Sequence, residues 1–406
     1  MDVLLQRAQA LYPKLKALKD DLHRHPELSN REVRTTALLK EKLSSLPLEL
    51  VDLGVPTGVG ALLRGGGSGP TVALRADIDA IVQQTPEEGD VVSEVPGVMH
   101  ACGHDFHTAG LYGAALLLSE LRATLPGDVI FLFQPAEETA NGARRLLERG
   151  LWQRFPAKPS YLFGIHNRPQ IPAGQIAVTP GPLMAEKSNF TITLHGVTGH
   201  GGSPHVCVDV ILPAAAIVQG IQSVVSRNVA PTDPLVCAVC SIHAGTPENF
   251  APDLLTMTGS IRAFRHETRL MAEHRVESLT RGIAAAYGCT AAFEAAEVAP
   301  LVYNGPEMSA LARRAAEALV GPDQVIVAAP DMSSEDFSEY SRQVPTFFYW
   351  LGSGFPDREN AGWHSEKFRT DDSALPLDAA LLAKSVLVAL GVPGSPPAAS
   401  FPSTLR

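Results

Sequence analysis

The stretch MHACGHDFHTAG, residues 99–110, places His100, Cys102, His104 and His107 within one short run. Thirteen histidines are spread over 406 residues, so the density here is unusual. Thiolate and imidazole together suit Zn²⁺ and neighbouring transition metals, whereas a magnesium site wants oxygens. A plainer account is also open, in which the cysteine is a small buried hydrophobe and the histidines are ordinary polar contacts. One short run cannot complete a metal site, so the remaining donors must come from elsewhere in the chain.

Three other segments offer them. DVIFLFQPAEE ends in the adjacent carboxylates Glu137 and Glu138. Neighbouring side chains in an extended segment point in different directions, so one can bind metal while the other faces a water. The competing account of such a pair is a solvated acidic start to the next helix. FGIH closes on His166, followed by Asn167, Arg168 and Pro169, and GWHSEKF carries His364 in a polar loop. Alone, His364 reads as a surface histidine. Donors converging at strand ends and loops favour one shared site.

The scaffold for these groups is legible as alternation. GALLRG (60–65), TVALRADIDA (71–80), DVIFLFQ, YLFGIH (161–166) and TFFYWLG (346–352) read as strands. TAGLYGAALLLSELRATL (108–125), ANGARRLLERGLW (140–152) and the amphipathic N-terminal thirty residues read as helices. Strands alternating with helices imply crossovers and a mainly parallel sheet covered on both faces. Ligand sites in such sheets gather beyond the carboxyl ends of the strands, where Glu137, Glu138 and His166 fall.

The middle of the chain changes character. NFTITLHGV (189–197) alternates apolar and polar residues, and helices over 208–227 and 267–288 are interleaved with strands over 234–245, 254–264 and 290–298. That order predicts a small α+β domain with one sheet and two helices. The expected organisation is an α/β domain of residues 1–185 and 301–406, with residues 186–300 inserted as a second domain. The Pro- and Ser-rich end, 394–406, is expected to be disordered.

Composition excludes some classes. With 45% apolar and 19% charged residues and a formal charge of −10, the chain is globular and poorly suited to nucleic acid or an anionic membrane. No apolar run reaches the roughly 18–20 residues that span a bilayer. Five scattered cysteines, 102, 207, 237, 240 and 289, suggest free thiols and a reducing compartment. With no secretory leader pattern at the N-terminus, cytoplasm is the expected location. Cys237 and Cys240, three apart on a strand, lie on opposite faces and read as packing residues.

HRHPELS, ALRADIDA, MHACGHDFHTA, FQPAEE, GIHNRP, GHGGSPH, SEDF and WHSEKF occur in the order found in the M20 metallopeptidase superfamily. From about residue 10 to residue 390 the chain resembles its amidohydrolase branch, which includes hippurate hydrolases, N-acyl-amino-acid amidohydrolases and indole-acetyl-amino-acid hydrolases. The resemblance implies a zinc-peptidase-like α/β catalytic domain and an inserted ferredoxin-like α+β domain serving as lid and dimerisation unit. It implies two divalent ions (Zn²⁺, Mn²⁺, Co²⁺ or Ni²⁺), bridged by Cys102 and completed by His104, Glu138, His166 and His364. Glu137 would be the general base. His200, in GHGGSPH, would donate to the oxyanion across a homodimer, or within a higher homo-oligomer. Asn249 in ENFAPD and Arg262 in GSIRAF would meet a substrate carboxylate, and Asp77 would orient the metal site. Asp105 and His107 are expected as supporting partners of the metal-binding histidines.

The expected activity is cleavage of an N-acyl or N-aroyl amino acid into a carboxylic acid and a free amino acid. The rivals are a dipeptidase or carboxypeptidase, or a hydrolase of an unusual aromatic amide or amine. A non-catalytic relative is disfavoured because the base and all five donors are present. Three departures from the family bear on specificity: Ala80-Ile81-Val82-Gln83 where relatives continue with Leu-Pro, Phe106 within the metal loop, and Arg168 where many relatives have an apolar or aromatic residue.

Overall fold

The structure is a computed structural model that describes residues 2–85, 91–245 and 249–392. The expected disordered end, 394–406, lies outside the described residues. The chain divides into two compact units: Met1–Leu183, Tyr303–Ala329 and Asp336–Arg406 form one, and Met184–Val302 with Pro330–Glu335 the other.

The first unit is built on an eight-stranded sheet in the order Glu49–Val51, Val59–Leu63, Gly127–Gln134, Gly69–Asp77, Tyr161–Pro172, Thr346–Gly354, Ile176–Ala177, Val325–Ile326. Its four inner strands run parallel, so their carboxyl ends emerge on one side. Register places Asp77 beside Gln134 and His166 beside Trp350. Every residue of Thr346–Gly354 is buried, as a run apolar on both faces requires of an inner parallel strand.

The N-terminal segment forms two helices, Val3–Ala10 and Tyr12–Arg24, where the sequence suggested one. Pro13 opens the second helix, and its missing N–H removes a bond that a continuous helix would need. The glycine-containing helix His104–Leu121 is buried nearly all round and packs against Tyr12–Arg24 and Leu375–Ala389. At the last contact a carboxyl group, Asp378, lies against Gly110, where an added Cβ would come within 2.2 Å of its Oδ2.

Asp378 is fully buried, and neither of its oxygens has a hydrogen-bond partner among the described residues. Burial, reinforced by the charge of Asp77, holds its carboxyl well above the usual range. A raised native pKa favours folding fully below the unfolded value, near 3.8, and the contribution is lost as pH rises toward the native value. Asp378→Asn cannot ionise. Its urea midpoint should therefore gain on the wild type as pH increases from about 5 to about 8, with the free-energy gap growing by about 1–3 kcal/mol. A gap that is flat with pH would contradict this assignment.

The second unit has a four-stranded antiparallel sheet in the order Leu235–Ala244, Leu254–Ala263, Glu186–His195, Thr290–Ala299. Burial along Glu186–His195 alternates, and one face packs Phe190, Ile192 and Leu194 against Ile217 and Ile221 of the helix Ile211–Asn228. The helix His266–Ala286 completes that layer. Residues 330–335, assigned above to the catalytic domain, group with this unit instead, because the Ala185 N–H donates to the carbonyls of Asp331 and Ser333. Cys237 packs in this core, and burial pushes its thiol up to about 12. Cys240 does not pack: a register shift between Val239 and Ser241 accompanies its exposed position.

Candidate active site

Cys102 and His104 flank Gly103, which adopts φ +87° at the start of the helix His104–Leu121. This turn aims both donors at the strand ends. The Cys102 Sγ lies 3.4 Å from His166 Nε2. His166 donates from Nδ1 to its neighbour's carbonyl, Asn167 O, at 2.8 Å, which leaves an Nε2 lone pair facing the thiol. Burial, with the nearby His107, holds His166 well below its ordinary pKa and hence neutral.

Glu137 and Glu138 occupy a tight turn after Gly127–Gln134, beginning at Ala136 with φ +61°. Sequence reasoning assigned no role to Asp79, yet Asp79 builds this turn. Its Oδ1 accepts the Glu137 N–H at 3.1 Å, and its Oδ2 accepts the Glu138 N–H at 3.0 Å. Ser29 holds Asp79 Oδ2 in place at 2.6 Å. Glu32, also unassigned, accepts the Ala136 N–H at 2.9 Å and is fully buried. The Asp336 N–H reaches Glu137 Oε1 at 3.4 Å.

Beneath the turn, Arg75 is fully buried between Asp77, Gln134 and Asp336. A buried guanidinium must be paired, and an arginine inside an apolar strand was the available signal for this network. Asp77 accepts from His107 Nδ1 at 2.6 Å. His107 Nε2 in turn accepts the Asn167 N–H at 2.9 Å, so both of its ring nitrogens are committed within the protein. Although burial opposes it, His104, His107 and Arg75 hold Asp77 well below the usual carboxylate range.

Asp105 does not reach the ligand histidines. It accepts from His23 Nδ1 at 2.7 Å and thereby ties the metal loop to the helix Tyr12–Arg24. His100 is buried with no hydrogen-bond partner for either nitrogen among the described residues, and burial lowers it to about 4.

The donor atoms fall into sets whose members all lie within 4.8 Å of one another: Cys102 with His104 and His166, Cys102 with Glu138 and His364, and His104 with Glu137 and Glu138. Cys102 belongs to the first two sets. Both nitrogens of His104 and Oε1 of Glu138 are buried without a hydrogen-bond partner, although carboxylates surround the ring. Burial disfavours charge on His104, but Asp77, Asp79 and Glu138 raise it to about 10. Orphaned donors, a thiol, imidazoles and a carboxylate in two overlapping sets fit a pair of divalent ions.

The profile of peptidase family M20/M25/M40 matches residues 73–387. The chain is 39% identical over 383 residues to an N-acetylcysteine deacetylase of Bacillus subtilis, covering 94% of this chain and 98% of that protein. The chain belongs to family M20. It is 34% identical to an Arabidopsis thaliana protein named IAA-amino acid hydrolase ILR1-like 2, covering 90% of this chain and 82% of the other. The Bacillus subtilis YXEP protein, described as a dinuclear metal-binding peptidase of the M20 family, superposes with a TM-score of 0.81 at 37% identity, covering 94% and 99% of the two chains. This chain is an M20-family metal-dependent amidohydrolase; its relatives include proteins named for N-acetylcysteine deacetylation and IAA-amino acid hydrolysis, and the dinuclear metal binding is that of the YXEP protein.

The remaining expected residues lie in the second unit. His200 is exposed on a short ribbon, Gly199–His200 paired with Phe250–Ala251. Its Nδ1 accepts the Gly202 N–H at 2.9 Å, which places the ring proton on Nε2 as a donor. Asn249 neighbours it, its carbonyl accepting the Gly201 N–H at 2.8 Å. Arg262 donates to Met332 O at 2.9 Å, and burial lowers its pKa. Among the described residues no helix is long and apolar enough to cross a membrane.

Proposed function

We propose that this chain hydrolyses the amide bond of N-acyl or N-aroyl amino acids, releasing a carboxylic acid and a free amino acid. The observation that carries the reading is the pair of donor sets sharing Cys102, set against a Glu137 whose backbone Asp79 pins. Divalent ions held by Cys102, His104, Glu138, His166 and His364 would lower the pKa of a water and polarise the scissile carbonyl.

The protein's own residues manage the protons. Glu137 takes one from the attacking water as the C–O bond forms, then delivers it to the amide nitrogen as the C–N bond breaks. Asp79 fixes the backbone of both residues, so that Glu138 would hold a cation while Glu137 handles the proton. His200, with its proton on Nε2, has the tautomer needed to stabilise the developing oxyanion, and we assign it that role across a homodimer. Asn249 and Arg262 are proposed to hold the substrate carboxylate, whose charge would relieve the burial of the guanidinium. Five free cysteines support a reducing, cytoplasmic setting.

The test is a substrate panel on protein of measured metal content: N-acetyl amino acids, hippurate and dipeptides, compared by kcat/KM. N-acyl amino acids are expected to lead. Dipeptides turning over faster than every N-acyl amino acid would overturn the assignment.

A further inference from the structure

His364 is a metal donor that burial does not hold. Its side chain is 57% exposed, and its backbone is in the left-handed region, φ +60°, a conformation costly for a residue with a side chain. Yet its Nε2 stands 3.3 Å from Glu138 Oε2, in the same donor set as Cys102. Something must keep it there. Its N–H donates to Ala101 O at 2.8 Å, and its carbonyl accepts from the Gln83 side chain. The preceding residue, Trp363, does more. Its indole N–H donates to Asn167 O at 3.1 Å, and its ring centroid lies 4.6 Å from that of His166.

Behind Trp363 stands Arg168. In the strand Tyr161–Pro172, Arg168 follows His166 by two and shares its face, while Trp350 is the register partner of His166 on the neighbouring strand. The guanidinium carbon is 4.1 Å from the Trp350 ring centroid and 5.0 Å from that of Trp363. Trp350 is fully buried in the sheet, so the cation stacks Trp363 onto a rigid floor.

We propose that Arg168 and Trp363 form a bracket that presents His364 to the metal centre, making Arg168 a positioning residue for that ligand. The inference rests on the reading of His364 as a metal ligand. A planar cation that stacks between two indoles is required: lysine keeps the charge but lacks the plane. Loss of the bracket frees the loop, and the ordering of His364 must then be supplied when the cation binds.

The experiment follows zinc-loaded protein, measuring Zn²⁺ stoichiometry and the rate of release to a chromogenic chelator. His364→Ala, Arg168→Met, Arg168→Lys, Trp363→Leu and Gln83→Ala are compared, with thermal unfolding of each as a check on folding. His364→Ala should lose one equivalent of zinc. Arg168→Met and Trp363→Leu should release one equivalent faster by roughly 10–100-fold, as loss of a ligand's support does. Arg168→Lys should fall between wild type and Arg168→Met, and Gln83→Ala should also speed release. If His364→Ala keeps both equivalents, the ligand reading itself fails. If it loses one while folded Arg168→Met and Trp363→Leu release zinc at the wild-type rate, the bracket is wrong.

Discussion

Glu137→Gln is expected to keep two metal equivalents and lose turnover by about 10²–10⁴-fold. Glutamine preserves the shape of the side chain and the two backbone bonds to Asp79, which depend on the Glu137 and Glu138 N–H groups. What it removes is a group able to accept a proton and pass it on. None of the five donors is touched, so the metal content of the purified variant, measured beside its kcat, separates loss of the base from loss of the site. Near-normal turnover with both ions present would sink the mechanism.

Gly103→Ala should be the most damaging small substitution in the metal loop. The residue sits at φ +87°, where a Cβ is strained, and the added carbon would come within 2.3 Å of Asn167 Nδ2. Asn167 cannot give way without loss, because that nitrogen donates to Cys102 O at 2.6 Å and its backbone N–H holds His107. Backbone strain alone costs about 1–3 kcal/mol, and the broken hydrogen bonds add to it. Cys102 and His104, on either side, would move together. Both a lower unfolding midpoint and metal content below two equivalents are expected. Wild-type values for both would show that the turn tolerates a side chain.

The convergence of the candidate donors was legible because metal chemistry uses few residue types and the sheet gathers strand ends predictably. Cys102 lies just before a recognisable helix and Glu138 just after a recognisable strand, while the strand expected to close at His166 runs on to Pro172, leaving His166 where that strand outruns its pairing with Gly69–Asp77. The supporting groups were less visible. Asp79 acts on backbone atoms 58 and 59 residues away, and Arg75 meets Asp336 across 261 residues. No local periodicity reports such pairings. Asp105 misled for a related reason: adjacency to His104 in sequence suggests adjacency in function, but one step along a helix turns a side chain by about 100°. That rotation sends Asp105 to His23. The grouping of residues 330–335 with the inserted unit rests on backbone bonds from Ala185, which composition cannot show.

Cys102 belongs to two of the three donor sets, so two cations held as proposed would depend on the same sulfur. A thiolate engaged by metal is shielded, whereas a free one is open to sulfenic acid formation and beyond. Oxidation of that one sulfur would reach both of its sets at once. The vulnerable interval is therefore the time between folding and loading, which gives this protein a chemical reason to mature where thiols stay reduced and metal is at hand.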